Sequence, residues 1–141
     1  MARMIFVNLP VTDLRASRRF YEALGFVNQP RFTDDTAACM ILSETIAVML
    51  VTHAKWRTFT DRPIADPASN EAGFALTCDD RADVDRLVER AGAAGGTVDA
   101  NPPQDHGFMY QRTVVDPDGH VWEPMWMDPA VATGEAPVPT S

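Results

Sequence analysis

The sequence lacks the features of several protein classes. It has no run of about 18 apolar residues, so no transmembrane helix is expected, and its N-terminus shows no secretory signal. It contains no Gly-rich phosphate loop, nucleophile elbow or Cys-x-x-Cys pair, so nucleotide binding and triad hydrolysis are not indicated. Only two cysteines occur, Cys39 and Cys78, both in apolar segments. We expect them to be reduced, buried thiols of a cytoplasmic protein.

Basic residues are also scarce. Twelve Lys and Arg stand against 20 Asp and Glu, for a net charge of −8, which argues against nucleic acids and anionic membrane surfaces as partners. With 141 residues, of which 45% are hydrophobic, the chain is long enough for one domain that folds without a disulfide or a metal.

The first half of the chain reads as a strand, a helix and three strands. Apolar residues predict strands over 5–11, 26–32, 37–42 and 46–52. Between the first two strands, Asp13 is a candidate N-cap, apolar residues follow at helical spacing, and Gly25 ends the helix.

The second half repeats this order, with strands predicted over 73–78, 97–100, 107–115 and 119–127 and a helix from Asp80 to Gly92. A shift of 67 residues places Asp13 on Asp80 and Gly25 on Gly92, the cap and the end of each helix. We therefore predict an α+β fold of tandem βαβββ modules. Neither half is expected to close a core alone, so the two should share one.

The modules divide the chain. Module one covers about 4–53, a linker covers 54–70, and module two covers about 71–127, so 1–127 form a single domain. The segment 128–141 has three prolines and no apolar period, and it is predicted to be a disordered tail.

Two stretches resemble the ends of the vicinal oxygen chelate superfamily, which includes glyoxalase I, bleomycin-resistance proteins and extradiol dioxygenases. Residues 11–26 read VTDLRASRRFYEALGF, and residues 116–123 read DPDGHVWE. The resemblance implies two paired modules whose curved sheets cup a ligand cavity, usually completed or buttressed by a second subunit.

Members of the superfamily that use a metal place ligands on the first strand of each module and carboxylates late on the two sheets. Carried over residue by residue, these positions fall on Phe6, Gly73 (or Glu71, if the register slips), Leu50 and Glu123. Only Glu123 is retained as a ligand position. One carboxylate is too few for a dedicated divalent metal site, so no cofactor is expected.

Glu123 is the sharpest candidate for a functional residue. Strand alternation puts it on one face with Met125, and in the family register this face points into the cavity. There it could act as a catalytic base or anchor a ligand. Pairing with an arginine or Asn8 in a structural role stays open. The other candidate ligand-binding residues are Phe6, Asn8, His106, Met109, Gln111, Arg112 and Met125.

Three hypotheses of function follow. The first is metal-independent binding of a small, partly aromatic or hydrophobic organic molecule, as in drug-resistance members. The second is a glyoxalase-like lyase or isomerase, or a dioxygenase, that binds Ni, Zn, Mn or Fe through Glu123 with His53 or His106. The third is a purely structural dimerising domain. A homodimer is expected in each case, because each module leaves strand edges and an apolar face to cover.

Overall fold

The first module forms a four-stranded sheet with a helix on one face. The computed structural model describes residues 2–139; Met1, Thr140 and Ser141 lie outside it. The strand order is β1-β4-β3-β2, with β1 parallel to β4 and the other pairs antiparallel. The elements are β1 (Ile5–Val11), α1 (Leu14–Ala23), β2 (Val27–Gln29), β3 (Ala37–Ile41), β4 (Ile46–Thr52) and α2 (His53–Trp56).

The second module repeats this arrangement in a separate sheet. Its order is β6-β9-β10-β8-β7, and β5 pairs in parallel with β10 as β1 does with β4. The predicted α+β fold of two βαβββ modules with a curved sheet is therefore confirmed. The elements are β5 (Gly73–Thr77), α3 (Arg81–Ala93), β6 (Thr97–Val98), β7 (Gln104–Asp105), β8 (Met109–Gln111), β9 (Val114–Val115), β10 (Val121–Met127) and α4 (Pro129–Ala132).

Both long helices begin at the predicted aspartates. The Asp13 side chain accepts from the amide of Ala16, and the Asp80 side chain accepts from the amide of Asp83. Each carboxylate thus satisfies one of the amides that a helix leaves without a partner in its first turn. After α1, Gly25 has a φ of 101°, which favours glycine.

Some predicted strands are shorter than expected. The strand predicted over 26–32 ends at Gln29, and a 3-10 turn follows at Pro30, which has no amide to continue the ladder. The strand predicted over 97–100 ends at Val98, because Asp99 adopts a positive φ of 54°.

The prediction of one continuous strand over 107–115 was wrong. It divides into β8 and β9, which pair with opposite ends of β10. The gap lies opposite Pro124, whose nitrogen carries no hydrogen to donate, although its carbonyl still accepts from Arg112 N at 3.1 Å. The short strand β7, which pairs with β8, was not predicted at all.

Residues of both modules build one hydrophobic core. Helix α1 buries Phe20 and Tyr21, helix α3 buries Leu87 and Ala91, and all four belong to the same cluster. The expectation of a shared core therefore holds. Strand residues complete the cluster, among them Leu9, Val11, Val48, Leu50, Val114 and Trp122.

A chain of buried polar contacts joins the modules inside this core. Tyr21 Oη donates to Asp116 Oδ2 at 2.7 Å and accepts from Trp122 Nε1 at 3.0 Å. Burial, and then the charge of Asp116, raise the pKa of the Tyr21 phenol well above its usual value. The rings of Tyr21 and Phe26 each meet Trp122 edge to face. We call the three hydrogen-bonded residues Tyr21, Asp116 and Trp122 the module lock.

The tail begins with local structure. Asp128 caps α4 through its side chain, and its amide donates to the carbonyl of Phe108 at 2.7 Å. Beyond Thr133 the described residues form no further helix or strand, and disorder of the tail stays a prediction. Among residues 2–139, no helix is long and apolar enough to cross a membrane.

The substitution Tyr21→Phe tests the module lock. It should lower the free energy of unfolding by about 2–3 kcal/mol, because Asp116 and Trp122 both lose a buried partner. Urea titration measures this loss. The control is Tyr110→Phe, which removes the chain's other phenol hydroxyl from a part-buried bond to Asp85 and should cost less. Equal losses for both variants would contradict a special role for the lock.

Candidate functional site

A cavity of about 770 Å³ opens beside β1. Its walls are the first strand, the linker between the modules and the turn before β10. This volume lies within the range of sites for small molecules. We call it the seam cavity. Its lining combines apolar and polar side chains, including Asn8, Leu9, His53, Trp56, Phe59, Arg62, Ile64, Glu71, Ala72, Phe74, Asp118 and His120.

The turn over residues 116–120 fixes one wall of the seam cavity. Asp116 Oδ1 accepts from the amides of Asp118 and His120, both at 2.9 Å, which holds the turn closed. Asp118 Oδ1 accepts from both the amide and the hydroxyl of Thr12, at 2.9 and 2.8 Å. The sequence DPDGH thus ties module two to the end of β1.

Glycine in this turn lets the linker approach. At Gly119, where φ is 93°, an added Cβ would lie 2.3 Å from the carbonyl oxygen of Pro67. Any larger residue would therefore push the linker away from the turn. Gly119 and Pro67 both line the cavity, so this close contact brings the linker against the turn at the cavity wall.

The outer edge of β1 supplies polar backbone groups to the cavity. Ile5 donates its amide to Thr45 at 2.7 Å, so in this parallel pair the odd-numbered residues bond towards β4 and the even-numbered ones point away. Pro10 has no amide, and its carbonyl accepts from His120 Nε2 at 2.8 Å. The amide and carbonyl of Asn8 therefore face the cavity as a donor and an acceptor.

Several predicted site residues share one face of the second sheet. Trp122 lies in the core and Trp126 packs against Arg81 of α3, so the alternate β10 residues Glu123 and Met125 face away from the helix. We call this side of the second sheet its open face. In the strand register it also holds Met109 opposite Met127 and Gln111 opposite Met125.

The first sheet has an equivalent open face. Phe6 lies there with 48% of its surface exposed, on the same side as Asn8. Leu50 pairs with Leu9 on the opposite, helix side and is fully buried in the core. The position that the resemblance assigned to a carboxylate therefore points away from the open face, where Met49 stands opposite Asn8 instead.

Arg112 is not brought together with the other candidates. Its guanidinium donates to both oxygens of Asp99 at 3.0 and 2.8 Å and to Asp85 of α3 at 3.0 Å. These hydrogen bonds, those to Asp99 most, hold the pKa of Arg112 above its usual value. Its charge is neutralised by the two carboxylates, so Arg112 braces the sheet against α3.

His106 is also set apart. It is exposed in the hairpin between β7 and β8, where its ring nitrogen lies 3.4 Å from Gln104 Oε1. The hairpin is tied to α3 by Arg81, which donates to both oxygens of Asp105. That ion pair lowers the pKa of Asp105 to about 2.

Of the predicted site residues, Asn8 lines the seam cavity. The sequence analysis missed Trp56 and Arg62, which it placed in a linker, and named His53 only as an alternative metal ligand; it did not identify His120 as a site residue. A usable signal was present, because the linker is rich in aromatic residues, which need apolar surface to pack against, and Pro10 marks β1 as an edge strand.

The residues do not fit the metal that the superfamily implies. The positions on the open faces provide Phe6, which has no donor, and Gly73, which has no side chain. A Cβ at Gly73 would lie 2.6 Å from Glu123 Oε1, so the carboxylate occupies the space into which a ligand from that position would project. Within residues 2–139, no three His, Cys, Asp or Glu side chains are grouped to hold a metal ion.

Comparison with known proteins agrees with this architecture. The Glyoxalase/Bleomycin resistance protein/Dioxygenase superfamily matches residues 3–123, and the chain belongs to that superfamily. No curated protein matches the sequence.

Solved structures of the same fold are numerous. A hypothetical protein from S. aureus is similar with a TM-score of 0.75 and 25% identity, over 89% of this chain and 94% of that one. A glyoxalase-related enzyme from Fulvimarina pelagi gives 0.75 and 23%, over 89% and 88%. The fosfomycin resistance protein FosX from Mesorhizobium loti gives 0.68 and 18%, over 94% and 98%. At these identities the likeness reflects the shared fold.

The substitution Arg112→Met tests the bracing role of Arg112. It should lower the free energy of unfolding by about 1–2 kcal/mol. The loss is limited because Asp85 and Asp99 are partly exposed, so solvent screens their ion pairs with Arg112. Chemical denaturation measures it. Arg31→Met, at an exposed arginine, is the control and should cost little. An unchanged stability of Arg112→Met would leave Arg112 available for a ligand.

Proposed function

We propose that this chain binds a small, partly aromatic or hydrophobic organic molecule between its modules, without the usual metal of the superfamily. The observation that carries the proposal is the seam cavity of about 770 Å³. We place this function in the cytoplasm, consistent with the free thiols of Cys39 and Cys78.

The lining of the cavity suits such a ligand. Trp56 of α2, Ile64 of the linker and Phe74 of β5 offer apolar surface. The outward amide and carbonyl of Asn8 can orient a polar group. Polar groups beside apolar surface fix the orientation of a bound small molecule. The charged residues Arg62 and Glu71 at the lining add contacts for a polar end of the ligand.

The donor set supports binding without a metal. A divalent transition metal needs three or more side-chain ligands from the protein. The carried-over positions supply Glu123 alone, since Phe6 and Gly73 have no donor and Leu50 is buried on the other face.

Filling the cavity tests this proposal. The side chain introduced by Ala72→Trp should occupy part of the seam cavity and weaken binding of a neutral aromatic probe such as 4-phenylbutanol by about tenfold, which corresponds to about 1.4 kcal/mol. The matched control is Ala93→Trp, which adds the same ring at an exposed position of α3 outside the cavity. Calorimetric titration gives the dissociation constants.

Metal dependence is tested in the same assay. Binding should be unchanged after dialysis against EDTA, and elemental analysis of protein purified without a chelating column should find far less than one metal per chain. Near-stoichiometric Ni, Zn, Mn or Fe would overturn metal-independent binding and favour the glyoxalase-like or dioxygenase alternative.

In the cavity-filling test, equal binding by Ala72→Trp and Ala93→Trp would show that the ligand binds outside the seam cavity.

We also propose a homodimer that covers the open face of the first sheet. The register puts Phe6, Ala47, Ile41 and Val27 in one apolar row across the sheet, with Phe6 48% and Val27 68% exposed at its ends. Ala47 in the middle of the row is fully buried, so the exposed apolar surface lies at its two ends. Exposed apolar side chains on one sheet face favour association with a second copy.

Sedimentation equilibrium tests the dimer. The wild type at micromolar concentration should give twice the chain mass of 15.5 kDa, and Phe6→Asp combined with Val27→Asp should give the monomer mass. The control pair, Phe59→Asp with Val138→Asp, changes two other exposed apolar residues by the same chemistry and should remain dimeric. A monomeric wild type would contradict the proposal.

A further inference from the structure

We infer that Glu123, positioned by Gly73, binds the ammonium group of an amphiphilic organic amine in place of the metal. This inference rests on the proposed function for the size and hydrophobic character of the ligand, and it adds the ligand's charge. Glu123, which is retained from the metal-binding positions of the superfamily, would then bind an ammonium group and not a metal ion.

The geometry between Gly73 and Glu123 is the first support. Gly73 pairs with Val121 and Ala75 pairs with Glu123, so the Glu123 side chain reaches back along β5 to lie over Gly73. An added Cβ at Gly73 would meet Glu123 Oε1 at 2.6 Å and Cδ at 3.1 Å. The backbone of Gly73 is in an ordinary extended strand without a positive φ. Glycine is thus needed there for space and not for its conformation.

The electrostatic surroundings of Glu123 are the second support. The strand residues that share its open face are uncharged: Gly73, Ala75, Thr77, Thr97, Gln104, Met109, Gln111, Val115, Val121, Met125 and Met127. Within residues 2–139 the ion pairs do not include Glu123, and Arg112 of the same sheet is held by Asp85 and Asp99. The carboxylate is therefore an acceptor without an internal cation.

An ammonium group complements this site. It brings one positive charge and N–H donors, and a carboxylate bonds such a donor more strongly than a neutral one. A metal would need further ligands, and an anion would be repelled. The net charge of −8 also attracts cations to the protein.

The neighbouring side chains suit the rest of such a ligand. Met109, Met125 and Met127 stand together on the open face, and thioethers pack adaptably against aromatic and aliphatic groups. Ala72, which lines the seam cavity, directly precedes Gly73 in the chain, whereas Gly73 and Glu123 lie on the other face of the sheet from Phe74, which also lines that cavity. The apolar body of an amine held by Glu123 would therefore pack on these methionines of the open face.

A matched series of probes tests the charge preference. 4-Phenylbutylamine, 4-phenylbutanol and 4-phenylbutyrate share one apolar body and differ in the end group. In the wild type the amine should bind about tenfold or more tightly than the alcohol, as expected for one charge-assisted contact, and the butyrate should bind most weakly. In Glu123→Gln the amine should lose this advantage while the alcohol binds as before.

A charge-matched variant separates this contact from general attraction. Glu44→Gln removes the same charge from an exposed turn remote in sequence from the sheet, and it should retain the amine preference. An equal loss in Glu44→Gln and Glu123→Gln would overturn the inference, because the preference would then follow from net charge alone.

The role of Gly73 is tested by a double-mutant cycle. Gly73→Ala should fold, since only the flexible end of Glu123 has to move, and it should reduce the amine preference by threefold or more. In the Glu123→Gln background the same change should have no effect on that preference. An effect of equal size in both backgrounds would show that Gly73 does not act through the carboxylate.

The probes also distinguish this inference from the proposed function. Binding of 4-phenylbutanol without any preference for the amine would overturn the ammonium site and leave the proposed function standing. Failure of all three probes to bind the wild type would contradict both.

Discussion

The hydroxyl of Tyr21 donates to Asp116 and accepts from Trp122, and this buried contact sets how the two modules meet. The three residues come from α1, from the turn before β10 and from β10 itself. Burial raises the pKa of the Asp116 carboxyl even though Tyr21 and two backbone amides donate to it. A buried acceptor of this kind tolerates only a partner at the correct distance and angle, so it specifies one relative placement of the modules. The seam cavity follows from that placement, because the same turn carries Asp118 and His120 to the edge of β1.

The fold was largely predictable because its determinants are local. An aspartate cap and a helical run recur 67 residues apart at Asp13 and Asp80, and these signals need no tertiary information. The helix end predicted at Gly92 was wrong, because α3 continues to Ala93 and the glycine of positive φ that follows it is Gly95. The errors arose where a residue distant in sequence determines the local structure. The break between β8 and β9 is opposite Pro124 on another strand, and the sequence around 107–115 contains no hint of it.

The candidate site was predictable only in part. Alternation correctly grouped Glu123 with Met125, since a period of two needs no knowledge of neighbouring strands. The ion partners of Arg112 lie 27 and 13 residues earlier in the chain, so its engagement could not be inferred from local sequence. The seam cavity was missed because it depends on how a linker without periodic structure folds back over a strand edge. The contact between the linker and the edge of β1 can be recognised only when the tertiary structure is known.

The residues that join the two modules are far apart in the sequence, and this has a consequence for biosynthesis. Asp116, the partner of Tyr21, lies 95 residues later in the chain, and Asp118, the partner of Thr12, lies 106 residues later. At typical elongation rates of 5–20 residues per second, Tyr21 and Thr12 are synthesised roughly 5–20 s before these partners. During that interval the phenol of Tyr21 and the apolar side of α1 have nothing from module two to pack against. The shared core is therefore complete only when the last strand, which contributes Trp122, has been synthesised.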